Sequence, residues 1–295
     1  MKIAIIGAGK WGQALYHAYS QDNDVVITSR QYKDIENFVS IQDALEYEYL
    51  LIAIPAQFVR EWMRENFIDK NQKILVASKG IETSSGAFLS EVYDEFVSSE
   101  RLAFISGPSF ASEVVKSLPT ALIISSTNQK LATTYADALP SFIKGYVSDD
   151  VMGAEVSGAY KNVIAIASGV CDGLELGNNA RAALISRGLV EMSRFGVAFG
   201  AKIDTFLSLG GAGDLFLTAS SKLSRNYRVG FALANGKSLD EILEELGEVA
   251  EGVATTKALH DIAIQKDIYL PIASEVYKML YEDKAPALSV KDLLD

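Results

Sequence analysis

Seven short runs in the first half of the chain carry the residue types of β-strands: KIAIIG (2–7), VVITS (25–29), YLLIAIP (49–55), KILVASK (73–79), LAFISG (102–107), ALIISST (121–127) and IKGYVS (143–148). The first four are apolar nearly throughout, without the polar alternation of a half-exposed strand. That is the pattern of parallel strands covered on both faces. Between them, WGQALYHAYSQ and AFLSEVYDEFVSS repeat apolar positions at helical spacing. Strand and helix in alternation predict an α/β architecture with a Rossmann-like doubly wound sheet. From about residue 150 the strand pattern stops. MGAEVSGAYKNVIAIASGVCDGL, ARAALISRGLVEMSRFGVAFG, SLDEILEELG, TTKALHDIAIQK and PIASEVYKMLYED all read as helices. The cap and turn residues of VSDDV (147–151) mark the boundary. The expectation is a dinucleotide-binding domain over 1–148 and an all-helical substrate-binding domain over 149–295.

Composition narrows the setting. A chain of 295 residues, 49% of them hydrophobic, has room for two domains with substantial cores. Its one cysteine, Cys171, excludes a disulfide framework and points to a reducing cytoplasm; Cys171 itself reads as a small packed hydrophobe. The net charge of −11 argues against non-specific nucleic-acid binding and against attraction to anionic membranes. No apolar run approaches the roughly 20 residues that span a bilayer. The N-terminus begins like a signal peptide, but its apolar run stops at Gly7. His17 and His260 are the two histidines, without metal-like company, so no metal site is expected and proton chemistry needs another residue type.

The first chemical motif is Gly7-x-Gly9-x-x-Gly12, with a strand before it and a helix after it. The first glycine allows a tight turn, the second allows backbone to approach a pyrophosphate, and the third lets the helix pack on the sheet. The second strand ends in Ser29-Arg30, where an NAD-preferring site carries an acid for the ribose hydroxyls. An arginine there pairs with the 2′-phosphate, so NADPH is the expected coenzyme, with NADH possible. Lys79 ends the fourth run, at the sheet edge where ligands bind. ISGPSFASE offers Gly107 and Ser109, and LGGAGDLFLTASSKLSRNYRVG offers a glycine-rich loop, Asp214 and the triplet Ser224-Arg225-Asn226. Lys161 sits in GAYKNVIAIASGV, otherwise a segment made for burial. A set of cations beside a nucleotide fold in an acidic protein points to a small phosphorylated substrate.

Taken in order, GAGKWG, SKGIE, ISGPSFASE, LPTA, AYKNVIAIASG, NARAALISRGLVEM, GGAGDLFLT, SRNYRVG and EVAEGVATTKA resemble the bacterial NAD(P)-dependent glycerol-3-phosphate dehydrogenases over nearly the whole chain. The resemblance implies reversible reduction of dihydroxyacetone phosphate to sn-glycerol 3-phosphate, the phospholipid backbone precursor, by a homodimer. It makes Lys161 the proton-transferring residue. It places substrate contacts at Lys79, Gly107, Ser109, Asp214, Ser224, Arg225 and Asn226. Coenzyme contacts fall at Gly7, Gly9, Lys10, Trp11, Gly12, Arg30, Lys79, Ala111, Arg225, Val249 and Glu251. Two departures stand out. Lys10 occupies a position where the family has a small polar residue. The segment after Arg30 is shorter than the family norm and lacks its proline- and glycine-containing loop, so contacts from that loop do not transfer.

Ketone reduction needs a proton at oxygen as hydride reaches carbon, and a positioned lysine supplies it. A lysine titrating at about 10.4 is a poor base near neutrality. Burial in VIAIA and the cations Lys79 and Arg225 lower that value, whereas a nearby Asp214 raises it. Two other readings share parts of this pattern. A β-hydroxyacid dehydrogenase pairs its lysine with an asparagine one helical turn later, but here Asn162 is adjacent and position 165 is Ala165. A non-catalytic NADP-binding sensor would keep the glycine turn without turnover.

Overall fold

The computed structural model describes residues 1–247 and 249–294. The strands are β1 (Lys2–Ile6), β2 (Asp24–Thr28), β3 (Tyr49–Ile52), β4 (Lys73–Val76), β5 (Leu102–Ser106), β6 (Thr120–Ser125) and β7 (Ile143–Ser148). They form one sheet in the order β2-β1-β3-β4-β5-β6-β7. Pairing is parallel from β2 through β5; β6 runs antiparallel to β5, and β7 is parallel to β6. Ile5 of β1 lies level with Ile27 of β2 and Leu51 of β3, so apolar side chains align across the sheet. The helices with this sheet are α1 (Lys10–Tyr19), α2 (Ile41–Ala44), α3 (Val59–Asn66), α4 (Leu89–Asp94), α5 (Ala111–Val114) and α6 (Gln129–Asp137). Ile3, Ile5, Leu51, Leu75 and Ile105 form one core with Leu15 of α1 and Tyr135 of α6.

All seven predicted strands form, but most stop one to three residues before the apolar run ends. Gly7, Ser29, 53–55, 77–79 and Gly107 lie beyond the ladder. These tails are loops at the carboxyl edge of the sheet, where open α/β sheets bind ligands.

The chain divides into two compact units, the first comprising Met1–Lys79 and Phe88–Ala154, the second Gly80–Ala87 and Glu155 onward. This division departs from the expected 148/149 boundary at two places. Asp150 caps the next helix, its Oδ1 accepting the Gly153 N–H at 2.9 Å, and the first turn of that helix stays with the first unit. The short excursion 80–87 belongs to the second unit, where Gly86 lies against Ile262.

The second unit is helical: α7 (Val151–Gly173), α8 (Gly177–Ala198), α9 (Ile203–Leu207), a π-helical turn (Leu209–Gly213), α10 (Asp214–Ala219), α11 (Arg225–Ala234), α12 (Leu239–Leu246), α13 (Glu251–Lys266), α14 (Pro271–Tyr281) and α15 (Pro286–Leu294). Residues 153–171 of α7 are buried without interruption. Its crossing with α11 is close because both helices carry glycine at the contact. A Cβ on Gly169 would lie 2.0 Å from the Tyr227 carbonyl oxygen, and one on Gly230 would lie 1.8 Å from that of Ile166. Among the described residues no helix is long and apolar enough to cross a membrane.

Candidate active site

In the first unit, the turn from β1 into α1 assigns a different task to each glycine. Gly7 has φ +111°, and a Cβ there would lie 2.4 Å from the Ala53 carbonyl oxygen. A Cβ on Gly12 would lie 1.7 Å from the Gly7 carbonyl oxygen, so α1 rests directly on the turn. At Gly9 a Cβ would meet nothing within 4 Å. Gly9 is exposed, is the N-cap of α1, and provides no side-chain cap. An open approach onto an uncapped helix N-terminus suits a pyrophosphate. Trp11, half-buried in the first turn of α1, keeps its indole Nε1–H buried with no partner among the described residues. The residues present therefore fit a dinucleotide.

Lys10 is exposed beside this turn, and Arg30 is exposed just past β2. The Ser29 hydroxyl donates to the Gln31 carbonyl at 2.6 Å. Lys33, which the sequence pattern does not single out, donates from Nζ to the Ala8 carbonyl at 2.6 Å. Lys79, half-buried, follows β4, and Gly107 with φ +115° follows β5. The Ser109 hydroxyl donates back to the Gly107 carbonyl at 3.0 Å, and Ala111 opens α5.

The second unit brings Lys161 and Asp214 together. Lys161, at mid-helix in α7, is 7% exposed. Its Nζ donates to Asp214 Oδ1 at 2.6 Å and to Thr218 Oγ1 at 2.9 Å. Asp214 and Thr218 stand one turn apart on α10, and the Thr218 hydroxyl also donates to Asp214 Oδ1 at 3.3 Å. Asp214 is thus close enough to exert the stabilising pull on the ammonium that the sequence left conditional. That pull opposes the desolvation of a buried cation. The predicted glycine-rich loop is instead the π-helical turn 209–213, which delivers Asp214 as the first residue of α10.

A second set of contacts gathers the remaining positions of this unit. Ser224 caps α11, its Oγ accepting the Tyr227 N–H at 3.2 Å, with Arg225 exposed in the first turn. Asn226 Oδ1 accepts the Gly252 N–H at 3.0 Å. That bond joins the start of α11 to the start of α13, where Glu251 is half-buried and the preceding Val249 is exposed. A Cβ on Gly252 would also lie 2.9 Å from the Asn162 carbonyl, so this corner adjoins the helix turn that carries Lys161. Thr218 was not anticipated; its signal in the sequence is the D-x-x-x-T spacing, which on a helix aligns both side chains on one face. The structure thus groups Lys161 with Asp214, and Asn226 with Gly252 beside Glu251. Lys79, Gly107, Ser109 and Ala111 belong to the first unit with the glycine turn.

A glycine turn of this geometry, opening a doubly wound sheet, defines a dinucleotide-binding protein. Residues 31–132 match the family model described as NAD-dependent glycerol-3-phosphate dehydrogenase N-terminus, and residues 150–291 match its C-terminus counterpart. The chain is 61% identical over 293 residues to a glycerol-3-phosphate dehydrogenase [NAD(P)+] of Sulfurimonas denitrificans, covering 99% of each chain. It is also 61% identical over 294 residues to the protein of the same description from Campylobacter lari, covering 100% of this chain and 98% of that one. The crystal structure of glycerol-3-phosphate dehydrogenase from Coxiella burnetii superposes with a TM-score of 0.91 at 34% identity, covering 100% of this chain and 98% of the other. The chain belongs to the NAD-dependent glycerol-3-phosphate dehydrogenase family.

Proposed function

We propose that this chain catalyses the reversible reduction of dihydroxyacetone phosphate to sn-glycerol 3-phosphate, using NADPH in preference to NADH. The observation that carries the reading is the buried Lys161–Asp214 pair, in a chain whose 61%-identical relatives bear the name of that activity. A bound reduced nicotinamide supplies the hydride. Lys161 holds the proton at Nζ for the ketone oxygen, and its ammonium stabilises charge developing there. Asp214 keeps that ammonium charged, and Thr218 fixes its direction.

Arg225, at the first turn of α11, binds the substrate phosphate with Ser224 and Asn226; a guanidinium fork and a helix N-terminus both favour an anion. Lys79, Gly107 and Ser109 complete the substrate contacts. Gly7, Gly9, Lys10, Trp11, Gly12, Arg30 and Ala111 hold the coenzyme, with Arg225, Val249 and Glu251. The first unit, Met1–Lys79 with Phe88–Ala154, acts as the coenzyme domain, and the second, Gly80–Ala87 with Glu155 onward, as the substrate domain. The enzyme works in the cytoplasm, supplying glycerophospholipid synthesis. Exposed Val190 and Val197 on α8, with Ile203 and Leu207 on α9, support a homodimer.

The test is NADPH oxidation with dihydroxyacetone phosphate, beside unphosphorylated dihydroxyacetone. Turnover should require the phosphate and fall at least about a hundredfold in Lys161→Met, the usual range for general acid–base catalysis. Coenzyme binding should survive that substitution. Binding without turnover in the unmodified protein would favour a sensor, and near-normal turnover of folded Lys161→Met would remove Lys161 from the chemistry.

A further inference from the structure

Past β2 the chain loops round and pairs beside the strand it has just left, Phe38 bridging Ile27 in parallel. The Ile27 N–H donates to the Asn37 carbonyl at 3.2 Å, and the Val39 N–H donates to the Ile27 carbonyl at 3.0 Å. The Thr28 hydroxyl donates to the Val39 carbonyl at 2.8 Å, and the Tyr16 hydroxyl of α1 donates to the Glu36 carbonyl at 2.8 Å. Ile35 and Phe38 pack on the core of the sheet, and Tyr32 meets Phe38 edge to face. This short return is a built loop. Its product is the placement of Lys33 Nζ on the carbonyl of Ala8, between the first two glycines of the coenzyme turn.

That bond occupies one of the three N–H donors of an ammonium. Among the described residues Lys33 has no carboxylate partner, and Arg30 has neither a hydrogen bond nor an ion pair. Ser29 already spends its proton on Gln31. The glycine turn and the end of β2 are the two walls that flank the adenosine ribose in this fold class. Lys33 bridges from the second wall to the first.

We propose that Lys33 determines coenzyme specificity: with Arg30 it forms a two-cation receptor for the 2′-phosphate of NADP, while its bond to Ala8 fixes it at the glycine turn. The proposal rests on the coenzyme reading above. A phosphate dianion makes charge-assisted bonds with the remaining N–H groups of Lys33; the ribose hydroxyl of NAD offers only a neutral partner. Lys10 does not share this role, because it stands at the first turn of α1, where the pyrophosphate is common to both coenzymes.

The experiment is isothermal titration of the full-length protein with NADPH, NADH and adenosine 2′,5′-bisphosphate, for the parent, Lys33→Met, Lys33→Gln and Lys33→Arg. Thermal melts confirm that each variant is folded. Loss of one charge-assisted contact should reduce the NADPH-to-NADH affinity ratio of Lys33→Met and Lys33→Gln about tenfold or more. Affinity for adenosine 2′,5′-bisphosphate should fall in parallel, and Lys33→Arg should keep the ratio within about threefold of the parent, retaining the charge. Equal weakening of both dinucleotides would reduce Lys33 to a brace for the turn and overturn the proposal. So would an unchanged ratio in a parent that prefers NADPH, or a parent without that preference. A parent that binds neither dinucleotide would overturn the coenzyme reading itself, and this proposal with it.

Discussion

At Lys161 an amine is buried in apolar helix, and the structure answers it with a carboxylate and a hydroxyl. Removing one member of a buried ion pair costs about 3–5 kcal/mol, because the other is left uncompensated. Asp214→Asn should therefore lower stability by an amount of that order, visible in denaturant melts. It should also move the alkaline fall of kcat/KM for ketone reduction to lower pH by about one unit or more, since an opposite charge this close favours the protonated lysine. A profile that stays in place would mean that Lys161 is not the group that limits the rate. Lys161 was legible because one cation interrupts an apolar run, and Asp214 because it follows a glycine-rich stretch. Their pairing was not legible, being a contact across 53 positions of sequence. Lys33 was hidden for the same reason: its role depends on the chain looping round beside β2.

Strands β1 to β5 could be read from the sequence because burial on both faces leaves almost no polar residue in them. Helices α9 to α11 could not be. Helices this short have little stability alone, since nucleation is costly and each is recovered only by packing. The register of α11 is set by its crossing with α7, where Gly169 and Gly230 let backbones approach. Gly230→Val should lose at least about 1–3 kcal/mol, the cost of overpacking, because the Ile166 carbonyl cannot yield like a flexible side chain. Substrate affinity should weaken with it, since Arg225 and Asn226 ride on the displaced helix. Chemical denaturation and substrate titration check both; parental values in both would show that the crossing opens without consequence.

The molecule as a whole carries a large negative charge, so its acid response depends on how individual carboxylates are held. Asp69 accepts from both terminal nitrogens of Arg101, each at 2.7 Å, and from the Asn71 N–H at 2.8 Å. The Arg101 hydrogen bonds, then the backbone bond, lower its carboxyl from 3.8 to about 2. Because the folded value lies below the unfolded one, the pair stabilises the fold above about pH 4 and ceases to do so as pH falls towards 2. The pair is partly exposed, so its contribution is about 0–1 kcal/mol. Asp69→Asn should lower the Tm slightly at pH 7, and the gap from the parent should close between about pH 4 and pH 2. A gap independent of pH in the melting series would assign the loss to packing instead.

The carboxylate on Lys161 has a consequence for the direction in which the enzyme runs. In its proposed role the lysine waits already loaded with the proton that ketone reduction consumes, and Asp214 holds that load in place. Alcohol oxidation begins only once Nζ has been emptied against the same pull. In that proposed role the Lys161–Asp214 bond favours the idle state that suits reduction and displaces the reverse reaction towards alkali.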